Sequence, residues 1–553
     1  MLPVRPSALL VTFLLSATVV AGCIGDTDDD KKADEAVARP AAMLRCLSGP
    51  GSGCNQEMTP DEGRTGNEVT IAVNPKDPLN IVGGAKDYYP PDAGECVWDG
   101  VYVTHDGGVT YEDRSFDGSP WRLRAGDMEN YRPNYASQFW CTTDPVAYFN
   151  TNGDLYYLLM AYQADPVTGS KTGEEEIDTP CGFPCPHGAL NDWAFNRATQ
   201  IVAISSDGGD TFHTFTPVLE GTFPVNFHDK GWIAASHNGV VHVMWLAFFV
   251  PGNQYCRSID EGQTYTCTEI VATQFVDAGQ GSFLDVGTGG EVYASWYNGG
   301  IMIKRSDDYG ETWGEATHAL DTNPQSMPGL SPRDRRTGYP SMATDRSTDS
   351  PFSDSVYFVW NDKCQDAVWT EDCTEGNNSI YFSASTDKGE TFSTPIRIND
   401  DVDATGNLSS ENWQIFPTVS VSPGGVIDVS WMDTRLDSDG YLLDQYYTYS
   451  LDGGKTWAPN LRVRDTADQG WDPALSFHQN GMVFIGDYND IDSSWGAAHP
   501  VWPDTRHGIA DVYTAVIDRP LFAEGWSEAD MERLRIELVA DRLVPADHPY
   551  LEE

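Results

Sequence analysis

The chain has 553 residues, enough to bury a large core, and its 52 glycines, 34 prolines and 12% aromatic residues favour short strands and tight turns over long helices. Its 83 acidic and 34 basic residues give a net charge of -49, which repels nucleic acid and excludes a nucleic-acid-binding role. A solvated surface for salty surroundings explains this charge, and an acidic face for a cationic partner is the alternative.

The N-terminus has the organisation of an export signal. Arg5 precedes an apolar run at 8–20, which is short for a membrane-spanning helix, the alternative interpretation. The end of this segment, Ala21-Gly22-Cys23, resembles a lipobox, so residues 1–23 resemble a lipoprotein signal. The resemblance implies cleavage before Cys23, a lipid on its sulfur and anchoring to the outside of the cell membrane.

Residues 24–60 follow as a predicted acidic tether, because stretches such as GDTDDDKKADEA are too polar to pack. The ten cysteines after Cys23 fall in close pairs and predict disulfides between neighbours. The pairs are Cys46 with Cys54, Cys96 with Cys141, Cys181 with Cys185, Cys256 with Cys267, and Cys364 with Cys373. Cys181, Cys185 and His187 lack an evident fourth ligand, so no metal site is predicted there.

One short sequence repeat occurs six times along the chain: THDGGVTY (104–111), SSDGGDTF (205–212), SIDEGQTY (258–265), SDDYGETW (306–313), STDKGETF (385–392) and SLDGGKTW (450–457). Each copy joins two strand-like runs, which predicts a hairpin. The aspartate can accept hydrogen bonds from its own turn, and glycine permits a positive φ. We call these segments clasp turns, and we predict that they are structural.

A second hairpin precedes most clasp turns, so the repeating unit is a four-stranded antiparallel meander. One meander cannot bury both faces, and radial stacking of such units predicts an all-β propeller over residues 61–520. The units lie near 67–116, 143–216, 229–270, 281–317, 339–397, 413–463 and 483–520. Seven blades are expected, with six as the alternative. The last unit offers three strands, and we expect an N-terminal segment to close the ring.

The clasp pattern S-x-D-x-G-x-T-[WFY] is similar to the Asp-box, or BNR repeat, and the chain resembles the sialidase superfamily of propellers. GDYND, HPVWPDTRHG and ADVYTAVI near the C-terminus resemble the last blade of sialidase-like exported proteins. The resemblance implies clasp turns that face away from the functional rim. It also implies a carbohydrate-binding protein that is a candidate exo-acting glycoside hydrolase, with a non-catalytic glycan- or protein-binding scaffold as the alternative.

The functional rim is predicted where innermost strands begin and second strands end. Second strands end in Trp296-Tyr-Asn298, Trp360-Asn-Asp362, Trp431-Met-Asp433-Thr-Arg435 and Trp502-Pro-Asp504-Thr-Arg506. Strand starts bring Asp229, Lys230, Arg336, Tyr339, Trp413, Gln414, Asp487 and Tyr488. Asp433, Asp504 and Trp413 are candidate substrate contacts. A structural role, with W-x-D-x-R holding blades together, is the alternative.

The resemblance also implies catalytic roles. A sialidase substrate carries a carboxylate that arginines can clamp, for which Arg336, Arg435 and Arg506 are candidates. Its nucleophile is a tyrosine activated by an acidic residue. Tyr488 with Asp487 is the candidate reactive pair, and Glu411 is a candidate base.

Loops 399–406 and 437–440 contain oxygen ligands suited to Ca²⁺, although solvated loops are the alternative and no cofactor is certain. Residues 521–553 form a C-terminal extension, in which a capping-box start at Ser527 and helical spacing of apolar residues predict a helix packed on the propeller. The protein is expected to be a monomer whose partner is a carbohydrate or glycoprotein.

Overall fold

Four-stranded antiparallel sheets repeat along the chain in the computed structural model. It describes residues 54–59, 65–88, 98–116, 134–136, 139, 141–162, 196–223, 227–248, 252–271, 279–330, 339–363, 376–409, 411–479, 482–546 and 548–551. Seven sheets form a β-propeller, so the predicted all-β fold with seven blades is confirmed and the six-bladed alternative is wrong. The predicted domain limits at 23, 60 and 520 stay predictions.

Blades 1 to 6 are meanders whose strands follow the chain from the innermost to the outermost. Blade 1 contains β2 (Gly66–Val73), β3 (Ile81–Asp87), β4 (Trp98–Thr104) and β5 (Glu112–Asp113). Blade 2 contains β6 (Cys141–Phe149), β7 (Leu155–Tyr162), β8 (Asn196–Ser205) and β9 (Thr214–Phe223). Blade 3 contains β10 (Phe227–Ala235), β11 (Val241–Phe248), β12 (Asn253–Ser258) and β13 (Thr266–Glu269). Blade 4 contains β14 (Gln280–Val286), β15 (Val292–Tyr297), β16 (Gly300–Ser306) and β17 (Thr317–Asp321). Blade 5 contains β18 (Ser341–Thr344), β19 (Val356–Lys363), β20 (Asn378–Ser385) and β21 (Ile396–Arg397). Blade 6 contains β22 (Gln414–Val421), β23 (Ile427–Asp433), β24 (Asp444–Ser450) and β25 (Leu461–Arg462).

Blade 7 joins the two ends of the propeller. Its strands from the chain's C-terminal part are β28 (Asp490–Ser493), β29 (Ala497–Asp504), β30 (Asp511–Ala515) and the short β31 (Ile517–Asp518). The outermost strand is β1 (Asn55–Glu57), which pairs antiparallel with β30, Asn55 opposite Ala515. The expected closure by an N-terminal segment is confirmed. A small hairpin of β26 (His478–Gln479) and β27 (Met482–Val483), preceded by a 3-10 turn at Pro473–Leu475, separates blades 6 and 7.

The innermost strands surround a central channel, and each contacts the innermost strand of the next blade in a closed order from 1 to 7 and back to 1. Their channel edges need partners, since unpaired strand edges are unstable. Side chains of neighbouring blades supply them: Asp490 Oδ2 accepts from the Ile71 amide (3.1 Å) and Asp492 Oδ2 from the Val73 amide (2.8 Å). In the same way Asp285 Oδ2 accepts from the Thr344 amide at 2.7 Å.

The hydrophobic core lies between adjacent blades. In one cluster Leu158 and Val202 of blade 2 pack against Ile233, Val243 and Trp245 of blade 3. The recurring tryptophans at the ends of second strands are all buried: Trp245, Trp296, Trp360, Trp431 and Trp502. Since an indole buries a large apolar area, this repeat stabilises the packing of blade on blade.

The clasp turns are closed by their own side chains. In each of the six, the aspartate Oδ1 accepts from a hydroxyl two residues before it and from the amide of the threonine four residues after it, and Oδ2 accepts from that threonine's hydroxyl. In Asp308, hydrogen bonds from Thr312 and Ser306 outweigh burial and lower the pKa to about 2. These turns join the third and fourth strands of their blades, on the rim away from the starts of the innermost strands.

Replacing a clasp aspartate should therefore destabilise the fold without touching the opposite rim. We expect Asp308→Ala to lower the free energy of unfolding by about 1–3 kcal/mol, because the turn loses the acceptor of three hydrogen bonds. Urea denaturation measures this, with the exposed Asp349→Ala as the control. Equal stability of the two variants would contradict the structural role.

One predicted disulfide is described in full, between Cys256 and Cys267, which lie opposite each other on β12 and β13. Cys54 and Cys141 are also disulfide-bonded. The remaining cysteines of the prediction lie outside the described residues, so their pairing stays a prediction. They are Cys46 and Cys96, the expected partners of Cys54 and Cys141, then Cys181 and Cys185, Cys364 and Cys373, and the lipid site Cys23.

The predicted C-terminal helix is confirmed as α1 (Glu528–Ala540). Ser527 caps it, since its Oγ accepts from the Asp530 amide at 3.1 Å. Leu538 packs in a cluster with Leu521 and Phe522, which follow blade 7. Among the described residues, no helix has both the length and the apolar character needed to cross a membrane.

Candidate functional site

Five innermost strands carry the same irregularity near their starts. In β2, β6, β10, β14 and β22 the register with the second strand shifts and leaves two residues unpaired. The first of the two has a positive φ: Glu68 (51°), Asp144 (58°), Lys230 (45°), Gly281 (67°) and Phe416 (52°). The left-handed region is unfavourable for residues other than glycine, and such strain concentrates at functional sites. These bulges define one end of the channel, which we call the mouth.

Tyr488, two residues before β28, reaches across the mouth. Its hydroxyl donates to the carbonyl of Pro145 at 3.0 Å, and its ring centroid lies 4.2 Å from Lys230 Nζ. Blade 7 is next to neither blade 2 nor blade 3, so these contacts cross the channel. The candidate Tyr488 therefore lies beside the residues of the bulges.

Glu68 and Asp144, from blades 1 and 2, share a hydrogen bond. Glu68 is 2% exposed, and its Oε2 lies 3.1 Å from Lys86 Nζ. Burial and the charge of Asp144 raise the pKa of Glu68 well above its ordinary value. Burial opposes the charge of Asp144 as well, but Lys86 and hydrogen bonds from Glu68 and Thr143 outweigh it and lower the pKa of Asp144. These opposite directions mean that a proton shared by the pair is held more readily by Glu68 than by Asp144.

Lys230 lies between two tyrosine rings. Its Nζ is 4.0 Å from the centroid of the Tyr339 ring and 4.2 Å from that of Tyr488. The residue is 3% exposed, and within the described part of the chain Nζ has no hydrogen-bond acceptor. Burial lowers the pKa of Lys230 to about 8, although nearby carboxylates, Asp487 foremost, favour the charged form. Because its donors are unused, this ammonium is suited to hold an oxygen of a ligand.

Aromatic side chains lie deeper in the channel. Trp232, two residues beyond Lys230, has its ring 4.0 Å from that of Phe283 and 6.4 Å from that of Tyr488. Further along, Arg346 of blade 5 donates to the Tyr148 hydroxyl of blade 2 and so crosses the channel. The polar side chains of the mouth therefore lie next to aromatic side chains, a combination that is common at small-molecule sites.

The predicted contacts Asp433 and Arg435 are bonded to each other. Asp433 Oδ2 accepts from Trp431 Nε1 (3.0 Å) and Arg435 Nη2 (2.7 Å). Arg435 Nη1 donates to Asp400 at 2.8 Å, and its guanidinium carbon lies 4.1 Å from the Tyr446 ring centroid. These bonds match the structural alternative for W-x-D-x-R, and a role in substrate binding stays a prediction.

Blade 7 repeats this arrangement. Asp504 is fully buried and accepts from Arg506 Nη2 at 2.7 Å and from Arg464 Nε at 2.6 Å. Arg506 Nη1 donates to Asp465 at 3.0 Å, and Nη2 also donates to Asn55 Oδ1 of β1 at 3.0 Å. Arg506 thus ties the closing strand to the rim.

The other candidates are dispersed. Asp487 is half-buried beside Tyr488. Glu411 is exposed and shows no contact with Tyr488 or Asp487 in the described ranges, and Trp413 is half-buried against the core between blades 6 and 7. Arg336 lies outside the described residues.

Sequence analysis missed Glu68, Lys86 and Asp144. Aligning the innermost strands would have found two of them, because N-E-V-T, T-D-P-V and D-K-G-W place Glu68 and Asp144 at the position of Lys230. No pattern marks Lys86, whose relevance comes from its 3.1 Å contact with Glu68.

The calcium candidates use their oxygens locally. Asp437 Oδ2 accepts from the Tyr441 and Leu442 amides, each at 2.8 Å, and Asp403 Oδ1 accepts from Thr405 and Asn407. Across the described ranges no group of three or more histidine, cysteine or acidic residues is arranged to hold a metal. Calcium binding stays a prediction, and the activity assay is therefore run with and without Ca²⁺.

No protein-family model matches the chain, and no curated protein matches it. Among solved structures it is similar to a protein of unknown function from Dyadobacter fermentans, at 11% identity over 84% of this chain and 98% of that one, with a TM-score of 0.42. A sialidase from Streptococcus pneumoniae matches at 11% identity over 84% of this chain and 71% of that one, with a TM-score of 0.38. An alpha-L-arabinanase from Penicillium chrysogenum matches at 12% identity over 84% and 98%, with a TM-score of 0.35. At these identities and TM-scores the likeness assigns no activity, so the function has to come from the residues of the mouth.

Proposed function

We propose that the mouth binds the terminal sugar of a glycan and hydrolyses its glycosidic bond. The observation that supports this is the buried pair of Glu68 and Asp144, whose pKa values are shifted in opposite directions. Glycoside hydrolysis needs a carboxylic acid that keeps its proton, which this pairing provides at Glu68, and a separate carboxylate that faces the sugar. Their positions on strained bulges at the channel end are a second support.

The proposed roles follow from these environments. Glu68 gives its proton to the glycosidic oxygen as the bond to the sugar breaks. Asp487, on the same rim, either attacks the sugar carbon, after which water releases the sugar and gives its proton to Glu68, or it takes the proton of a water that attacks directly and passes it to solvent, from which Glu68 regains its own. In both routes water supplies the hydroxyl of the product. Burial raises the pKa of Tyr488 well above its ordinary value, which keeps it a phenol and suits it to position the sugar.

We further propose that the propeller acts outside the cell, anchored through a lipid on Cys23 and carried on the part of the predicted tether that precedes β1. Its partner is then a surface glycan or glycoprotein. The export-like sequence of residues 1–23 supports this placement.

The test is turnover of a panel of fluorogenic glycosides, including a sialoside, by the exported chain from residue 23 onward. The assay is run in high salt, with and without Ca²⁺. Release of fluorophore from a glycoside supports the proposal and names the sugar class. Saturable glycan binding without product at any time would instead identify a glycan-binding scaffold and overturn the catalytic part.

The plot of kcat/KM against pH should be bell-shaped. On the alkaline side it falls as Glu68 loses its proton, at a pKa well above 4.5, and on the acid side as the carboxylate that attacks the sugar or activates water becomes protonated. Initial rates of kcat/KM across the pH range measure both limbs. Constant activity into the alkaline range would contradict the role of Glu68.

A further inference from the structure

We infer that the sugar held at the mouth is uncharged, and that acidic sugars are rejected there. This inference rests on the proposed function and specifies its substrate class. The charges and the unused donors of the mouth support it.

The cations of the mouth are balanced by carboxylates. Lys86 is paired with Glu68 at 3.1 Å and also interacts with Asp144. Lys230 interacts with Asp487, Glu68 and Asp144. A ligand carboxylate drawn to Lys230 would therefore also approach Asp144 and Asp487. Because Glu68 favours its protonated form, the ammonium groups of Lys86 and Lys230 face the carboxyl groups of Asp144 and Asp487, and a ligand carboxylate would add a negative charge to the mouth with no further cation to balance it.

Two of the three predicted clamp arginines are described by the structure and are already engaged, and the third, Arg336, lies outside the described residues. Arg435 is bonded to Asp433 and Asp400, and Arg506 to Asp504 and Asp465. A carboxylate clamp needs a guanidinium with two free parallel donors. Neither arginine offers one without breaking a buried ion pair.

A neutral sugar fits the same groups. Each hydroxyl both donates and accepts, so it can accept from the unpaired Nζ of Lys230 and donate to Asp144 or Asp487. The ring of Trp232, one step deeper, offers an apolar surface for the carbon face of a pyranose. The described residues offer Lys230 Nζ no acceptor, so hydroxyl oxygens of such a ligand would supply the hydrogen bonds that it lacks.

The test compares sugars that differ only in a carboxylate. Binding of galactose against galacturonate, and of glucose against glucuronate, is measured by isothermal titration with the exported chain, and N-acetylneuraminate is added as a bulkier acid. We expect at least one neutral member to bind about tenfold or more tighter than its acid. Asp487→Asn should narrow that ratio by strengthening binding of the acid, whereas the exposed control Asp349→Asn should leave it unchanged.

The outcomes separate the two proposals. Acids that bind as tightly as or tighter than their neutral partners would overturn this inference and leave carbohydrate binding intact. If no sugar of either kind binds and no glycoside is hydrolysed, the proposed function fails, and this inference fails with it. The comparison of ligand pairs on the unaltered protein stands even if Asp487→Asn does not fold.

Discussion

Glu68→Gln is expected to lower turnover of glycosides with ordinary alcohol leaving groups by about 10³-fold, within the 10²–10⁴-fold range of general acid catalysis. Glutamine keeps the size and the hydrogen-bonding capacity of Glu68 but has no proton to give. Glycosides with a dinitrophenol leaving group need little protonation and should lose far less activity. The dependence on the leaving group is thus the signature of a proton donor, and kcat/KM for both substrates measures it.

Two controls accompany this experiment. Asp144→Asn removes the charge that raises the pKa of Glu68, so its alkaline limb should move to lower pH while turnover falls. Glu532→Gln makes the same chemical change on the exposed face of α1 and should have no effect. Equal loss on both classes of leaving group in Glu68→Gln would show that Glu68 is not the donor.

The architecture was predictable because repetition encodes it locally. Each clasp turn closes its own hydrogen bonds, as Asp452 does with Ser450 and Thr456, so its conformation depends little on the rest of the chain. A meander must bury its faces on other meanders, and this fixes the radial arrangement. The sequence also predicted that an N-terminal segment would complete the last blade, because that unit offered only three strands. It did not predict that Asn55–Glu57 would be the segment.

The site was only partly predictable, because it depends on backbone irregularities. Tyr488, Asp487 and Lys230 were found from their places at strand starts. Glu68 was not, since a bulge with φ of 51° reorients its side chain relative to regular strand alternation. The role of Arg435 was left open by the sequence, because a salt bridge within W-x-D-x-R and a contact with a ligand require the same residue types.

The second large effect is expected at a buried ion pair that holds the C-terminal extension. Arg519 Nε lies 2.9 Å and 3.0 Å from the two oxygens of Asp428, and both side chains are fully buried. Nη1 and Nη2 donate to the carbonyls of Trp495 (2.8 Å) and Ser494 (2.7 Å). The pair thus connects β23 of blade 6 with blade 7 and the extension.

Arg519→Met should lower the free energy of unfolding by about 3–5 kcal/mol, because it leaves the Asp428 charge buried without a counter-ion. Arg533→Met is the matched control: Arg533 pairs with Glu537 at 3.4 Å on α1, but its side chain is 53% exposed. Exposed pairs contribute about 0–1 kcal/mol. Urea denaturation midpoints compare the two, and an equal cost in both variants would contradict the role of the buried pair.

The double variant Asp428→Leu/Arg519→Met distinguishes a costly orphaned charge from a favourable bond. If the loss in Arg519→Met comes mainly from the uncompensated carboxylate, removing Asp428 as well should restore much of the stability. Restoration should stay incomplete, since Tyr447 and Ser493 donate to Asp428 at 2.6 Å and 2.7 Å and would lose their acceptor. A double variant as unstable as Arg519→Met would mean that the bonds of Arg519 to the carbonyls of blade 7, rather than the ion pair, hold the extension in place.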